Sequence, residues 1–379
     1  MPDRISEIES YLQHRDYNLA IRRMLDLAFD AGNEELLRQT ITWSRSFRQF
    51  HQGDYSEPST AFMENAVIIL QELRQTNSSF HFNKEDLLEV QNISKAYKGS
   101  RFVLQPISLA VSSGEVIGIV GENGNGKTTL LRAIAGQLAT DSGDIHFKTI
   151  ASKEQYNIKH QLAFIPQRIP RWYGQLKDNL HFSASISGIR GSQNELMVDF
   201  MLERMNLSEY AHLTWNQVSS GYRTRFEIAR VLLQRPQLML LDEPLANLDI
   251  LAQQTILTDL RYMAKSIKHP MGVLLSSQQL HEVEKIADTV LFIRQGECLF
   301  RTGEKGQTIT WVIEIETQAG RERLAEIFAN DPVQIHFNGG YYTVSSLVLP
   351  ANEMIEKMVK QQLPITYFRD ISNSTKRFF

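Results

Sequence analysis

"EVIGIVGENGNGKTTLLRAI", residues 115–134, decides the fold. It begins as a short apolar run of β-branched residues and passes through a glycine-rich turn. It then becomes a helical pattern with Leu130, Leu131, Ile134 and Leu138 on one side. From Gly121 to Thr128 the turn reads Gly-x-x-x-x-Gly-Lys-Thr, and a strand before it with a helix after it is the context of a phosphate-binding loop. Gly121, Gly124 and Gly126 let the backbone fold tightly, so that its N–H groups point inward at an anion. Lys127 supplies charge to β- and γ-phosphates, and the Thr128 hydroxyl suits Mg²⁺. Gly121, Glu122, Asn123, Gly124, Asn125, Gly126, Lys127, Thr128 and Thr129 are the candidate cradle.

Outward from this loop, "QLMLLDEP" (237–244) delivers Asp242 and Glu243 to the end of a buried strand. Asp242 suits Mg²⁺, directly or through water, and Glu243 can polarise an attacking water. "VSSGYRTRFEIARVLLQRP" (218–236) opens a second helix, with Ser219 or Ser220 as its N-cap and Phe226, Ala229, Leu232 and Leu233 as its buried stripe. Its free amides and dipole make another anion site. The first helix already serves the phosphates within one subunit, so a second such terminus points to a nucleotide shared between two subunits.

The chain has 379 residues, 42% hydrophobic and 22% charged, enough for two or three domains with full-sized cores. Its net charge of −3 argues against general nucleic-acid binding. One cysteine, Cys298, excludes an internal disulfide and fits a reducing compartment. The opening "MPDRISEIESYLQ" is polar and acidic, unlike a secretory signal. No apolar run approaches the ~18 residues of a membrane span.

Residues 1–80 follow a helical period and predict about four helices, as a bundle or stacked hairpins. Residues 84–302 alternate apolar strands with amphipathic helices, the pattern of a largely parallel α/β sheet. "LLEVQNISKAY" and "FVLQPISLAV" supply an antiparallel edge. "NSSFHFN" reads as the linker between these regions. Within residues 303–379 the order βαββαβ, with "NGG" as a hairpin turn, is that of a ferredoxin-like domain.

With these elements in view, residues 84–302 resemble the ATP-binding cassette (ABC) ATPases. "VSSGYRTR" is similar to that family's signature motif, "ANLD" (246–249) to its D-loop, and "FIPQ", ending at Gln167, to its Q-loop. Tyr97 stands where the family places an aromatic that stacks on adenine. The resemblance implies a P-loop ABC-type nucleotide-binding domain, with a helical subdomain at about 168–217, that uses ATP and Mg²⁺. Two cassettes would face head to tail, with Ser219 and Gly221 of one touching the γ-phosphate held by Lys127 of the other. Asp249 would lie across that interface, and Gln167 would help hold Mg²⁺ and report its state. An identical second subunit and a polytopic transmembrane exporter subunit are the implied partners, with a cytoplasmic location against the membrane. Residues 1–80 would meet a further, unknown partner.

The pattern departs from the family's commonest sequence at three places. Ser220 replaces a glycine, and Tyr222 replaces a glutamine. In "LLSSQQLHEVEKIAD" (274–288), Gln278 replaces the histidine that contacts γ-phosphate and attacking water. His281, one helical turn on, reads as a surface residue. A glutamine amide can orient water but carries no charge, so hydrolysis is expected to be slowed. The alternative reading is a nucleotide-gated regulatory or interaction module with little or no ATP turnover.

Overall fold

The computed structural model describes residues 4–50, 58–76, 84–99, 101–148, 161–246, 248–301 and 311–372. The linker "NSSFHFN" therefore lies outside the described residues, as does Asn247 of "ANLD". The chain forms two compact units, Met1–Cys298 and Leu299–Phe379.

Four helices open the first unit: α1 (Arg4–Gln13), α2 (Tyr17–Ala31), α3 (Glu34–Phe50) and α4 (Thr60–Thr76). The Asp16 side chain accepts from Leu19 N–H and caps α2, which ends at Gly32 in a left-handed conformation. Ile8, Met24, Leu25, Phe62 and Leu73 are buried among these helices, and Trp43 stacks on Phe62. Val67 and Ile68, in the same apolar run of α4, are instead exposed.

The sequence suggests a separate domain over 1–80, but these helices belong to the same compact unit as the α/β part. The reason is a buried ion network between segments far apart in the chain. The Arg204 guanidinium donates to both carboxylate oxygens of Asp26 (2.9 and 3.1 Å) and pairs with Asp259 at 3.1 Å. Arg23 pairs with Asp26 at 3.0 Å and lies over the Tyr262 ring at 3.8 Å. Arg22 reaches Asp259 at 3.3 Å.

Beyond the helices come β1 (Asp86–Ala96), β2 (Val103–Ser112) and β3 (Val116–Val120). They are followed by α5 (Lys127–Ile134), β4 (Ser142–Phe147) and β5 (Leu162–Ile165). A helical segment follows: α6 (Leu176–Ile186), α7 (Gly191–Arg204) and α8 (Ser220–Leu232). Then come β6 (Leu238–Leu241), α9 (Ile250–Ala264), β7 (Gly272–Ser277), α10 (Leu280–Glu284), β8 (Thr289–Arg294) and β9 (Glu297–Arg301).

β2, β1 and β4 form a small antiparallel sheet in that order. The main sheet has the order β5-β6-β7-β3-β8-β9, with β5, β6, β7, β3 and β8 parallel. The chain leaves β3 toward β5 on one flank and crosses back from β7 to β8 on the other. The carboxyl end of β3 therefore sits at the reversal of strand order, where open α/β sheets take ligands. Leu88, Ile107, Ile117, Leu131, Leu240 and Leu274 help fill the core of these sheets and α5.

The second unit holds β10 (Trp311–Thr317), α11 (Gly320–Ile327), β11 (Val333–Asn338), β12 (Tyr341–Ser346), α12 (Ala351–Lys360) and β13 (Ile365–Asp370). Its antiparallel sheet has the order β11-β12-β10-β13, with Gly339 and Gly340 both at positive φ in the β11–β12 turn. Leu324, Met354 and Met358 pack against Ile313, Ile315 and Val344.

Candidate nucleotide site

The turn from β3 into α5 is shaped by what glycine permits. A Cβ on Gly121 would come 2.2 Å from the Ile293 carbonyl oxygen, and one on Gly126 would meet Phe102 at 2.8 Å. Gly126 also takes φ 101 as the N-cap of α5, with no side chain to satisfy the amides behind it. Asn125 braces the loop from outside: its Oδ1 accepts from Gln295 N–H at 2.9 Å, and its carbonyl from Gly296 N–H at 3.2 Å.

Lys127 is buried at the start of α5. Its Nζ donates to the carbonyls of Gly121 (2.7 Å) and Glu122 (3.0 Å) and pairs with Glu243 at 3.0 Å. Two of its donors are thus taken by the loop's own carbonyls, and the contact with Glu243 is an ion pair. Thr128 Oγ1 donates to Asp242 Oδ1 at 2.9 Å, so a hydroxyl from α5 and a carboxylate from the end of β6 meet directly.

β7 supplies a residue that sequence reasoning passed over. Ser276 is fully buried; its Oγ donates to Asp242 Oδ1 at 2.8 Å and accepts from Glu243 N–H at 2.9 Å. One hydroxyl thereby orients the Asp242 carboxylate and pins the Glu243 backbone. The clue was a serine at the apolar end of a buried strand, a position that needs a polar partner. Glu243 takes φ 50, a left-handed conformation costing a non-glycine residue ~1–2 kcal/mol. Its Oε2 accepts from Gln278 N–H at 3.3 Å.

Gln278 follows β7 and is exposed, as is His281. The Gln278 amide donates from Nε2 to Asn123 Oδ1 at 2.7 Å, bridging the strand end to the crest of the loop. Tyr97, 39% exposed, directs its hydroxyl to Thr129 Oγ1 at 3.3 Å, leaving much of its ring uncovered beside the start of α5.

The structure does not bring every candidate to this point. Gln167 lies exposed two residues beyond β5. Ser219 is the N-cap of α8, but its side chain makes no capping bond; it is exposed and the helix amides stay available. The Tyr222 hydroxyl donates to Tyr210 at 2.9 Å, so this departure from the family pattern is absorbed within the helical segment. Asp249 caps α9, accepting from Ala252 N–H at 2.8 Å. Among the described residues no hydrogen bond joins Gln167, Ser219, Gly221 or Asp249 to the loop.

The donor set fits a nucleotide with a hard divalent cation. A glycine cradle, an ammonium and free helix amides suit phosphates. Thr128 and Asp242 offer the hydroxyl and carboxylate oxygens that Mg²⁺ takes beside substrate phosphates. Among the described residues no group of three His, Cys, Asp or Glu could cage a metal alone.

Comparison with known proteins bears on the same segment. Residues 104–246 match the ABC transporter family. The phosphonates import ATP-binding protein PhnC of Treponema denticola is 31% identical over 228 residues, covering 56% of this chain and 88% of that protein. The linearmycin resistance ATP-binding protein LnrL of Bacillus subtilis is 30% identical over 216 residues, covering 56% and 68% respectively. A solved structure of cbiO1 from Clostridium perfringens, part of the ABC transporter complex cbiONQ, superposes with a TM-score of 0.51. It shares 24% identity and covers 57% of this chain and 88% of that one. A glycine cradle with Lys127, paired acids at the end of β6 and relatives matched over most of their length give one conclusion: the chain belongs to the ABC transporter ATP-binding proteins.

Proposed function

We propose that this chain is the ATP-hydrolysing subunit of a membrane exporter, acting as an ATP-induced homodimer on the cytoplasmic face of the membrane. The observation that carries the ATPase reading is the convergence of Lys127, Thr128, Asp242 and Glu243 at one strand-end cluster. Bound Mg²⁺ would neutralise phosphate charge, with Thr128 and Asp242 as its protein oxygens and Gln167 as a further ligand from β5. Phosphate charge arriving at Lys127 competes with Glu243 for the same ammonium. Glu243, released but still fixed by Ser276, can then take a proton from water. Tyr97 offers a ring to adenine. Ser219, Gly221 and the open N-terminus of α8 face outward, which suits the phosphates of a second subunit, with Asp249 beside that interface.

A membrane-spanning partner would carry the cargo; among the described residues no helix is long and apolar enough to cross a membrane. The exposed Tyr173, Phe182 and Ile186 on and before α6 supply apolar surface for it. Export is supported by the resistance role in the name of LnrL, whereas the name of PhnC denotes import. For the second unit, the strand order β11-β12-β10-β13 supports a ferredoxin-like assignment. A nucleotide-gated module of low turnover is the second reading, favoured by the uncharged Gln278.

Turnover and binding measured together test this function. Glu243→Gln is expected to keep MgATP binding while hydrolysis falls ~10²–10⁴-fold, the range for loss of a general base. It should also accumulate an ATP-bound dimer by size-exclusion chromatography. Equal loss of binding and hydrolysis would contradict the role of Glu243. A parent protein that binds ATP but never turns it over, with or without its membrane partner, would favour the gated module. Direction is read separately, as movement of cargo out of or into cells that overproduce the transporter.

A further inference from the structure

The first unit holds a cavity of about 470 Å³ between α2, α7 and the segment joining α9 to β7 that no part of the nucleotide site uses. Its walls include Gln237 and Met271, which precede β6 and β7, so it lies at the amino ends of the strands, away from the phosphate loop at their carboxyl ends. The volume falls in the range of small-molecule sites.

The lining divides into an apolar wall and a charged rim. Phe29 and Phe200 stack with ring centroids 4.9 Å apart, and His269 leans on Phe29 at 5.5 Å. Met201, Met263 and Met271 extend this wall; their flexible thioethers adapt to the shape of a guest and favour ring contacts. Tyr262 also lines the cavity, and its buried hydroxyl has no hydrogen-bond partner among the described residues.

The charges on the lining are not all paired. Asp26 pairs with Arg23 and with Arg204, itself on the lining, and Asp30 pairs with Arg4 at 3.5 Å while accepting from the Ser266 hydroxyl and the Ile267 amide. Arg235 and Lys268, both exposed on the lining, have no ion pair among the described residues. Against them stands one exposed acid, Glu85. His269 registers the same field: burial first, then the charges of Arg235 and Lys268, push its pKa down.

We infer that this cavity is a binding site for a small organic acid that carries an aromatic ring, with the ring against Phe29, Phe200 and the methionines and the anion toward Arg235 and Lys268. The phosphates of ATP have no counterpart here, because the lining offers no glycine-rich turn.

The test uses the full chain with ¹³C-labelled methionine methyl groups and 2-naphthoate as the probe. A carboxylate avoids the phosphate loop, and MgATP is present to keep that loop filled. Saturable shifts of Met201, Met263 and Met271 are expected. Affinity should fall about tenfold in Arg235→Gln/Lys268→Gln, the loss expected when a charge-assisted contact goes. Those residues are exposed and outside the nucleotide site, so folding and ATP binding serve as the control. Acetate (no ring) and 2-naphthalenemethanol (no charge) should each bind at least about tenfold more weakly. The inference is overturned by shifts that do not saturate, by equal affinity in the double variant, or by equal binding of the neutral alcohol.

Discussion

The two ends of the main sheet handle charge in opposite ways. At the carboxyl ends, Lys127 is met by two loop carbonyls and by Glu243, while Gln278 spans to Asn123. These groups are held by contacts that an anion can take over. At the amino ends, Arg204 has a bidentate bond to Asp26 and a pair with Asp259, and it is 1% exposed. Its partners come from α2 and α9, so it fastens the opening helices to the rest of the unit. A buried ion set of this kind contributes little over an apolar equivalent when intact and costs much when broken. At one end the charges are open to an anion, and at the other the central charges are locked in buried pairs beside the cavity.

That contrast is sharpened most by cutting the buried pairs. Arg204→Ala leaves Asp26 and Asp259 with a buried charge deficit and is expected to destabilise the first unit by ~3–5 kcal/mol. Denaturant unfolding followed on the first unit checks this. A loss within ~1 kcal/mol, the worth of an exposed pair, would show that water reaches the network and that the two ends are alike.

A smaller effect is expected at Gln278. Gln278→His should raise kcat about tenfold with little change in ATP affinity, because an imidazole adds a stronger donor where charge develops. Gln278→Ala should lower kcat while binding survives. Equal rates in Gln278→Ala and parent would make the residue a spacer whose side chain only bridges to Asn123.

The smallest effect falls on Asp249, which lies on neither charged cluster. Asp249→Ala removes the cap of α9 and is expected to cost ~0.5–2 kcal/mol in thermal unfolding. Retained ATPase activity would confine Asp249 to that local role. Lost activity with stability preserved would place it in the contact between subunits.

How much of this was legible follows from distance along the chain. The loop 121–128, the strand 238–241 and the strand 272–277 with its polar end are local patterns, and periodicity places them where the structure has them. Asp242 and Glu243 are adjacent residues after an apolar run, so their delivery to a strand end was readable. Ser276 was not, because its importance arises only when β7 lies beside β6. The network at the amino ends was least legible. Arg204 lies 178 residues from Asp26, and each charge alone reads as a solvated helix residue. The same blindness made residues 1–80 look separate, and it hid the cavity whose walls come from six stretches of the chain. The alternation over residues 84–96 also gave no sign of the register shifts that bend β1.

In the proposed function Lys127 serves the nucleotide, while Arg204 holds the architecture. Scanning calorimetry of Lys127→Ala and Arg204→Ala, each with and without MgATP, tests this division most directly. At ligand about a hundredfold over Kd, the parent should gain ~2.7 kcal/mol of stability. Lys127→Ala should show no such gain, whatever its own midpoint, and Arg204→Ala should start lower yet keep the full gain. Stabilisation of Lys127→Ala by MgATP, or its loss in a folded Arg204→Ala, would contradict the division.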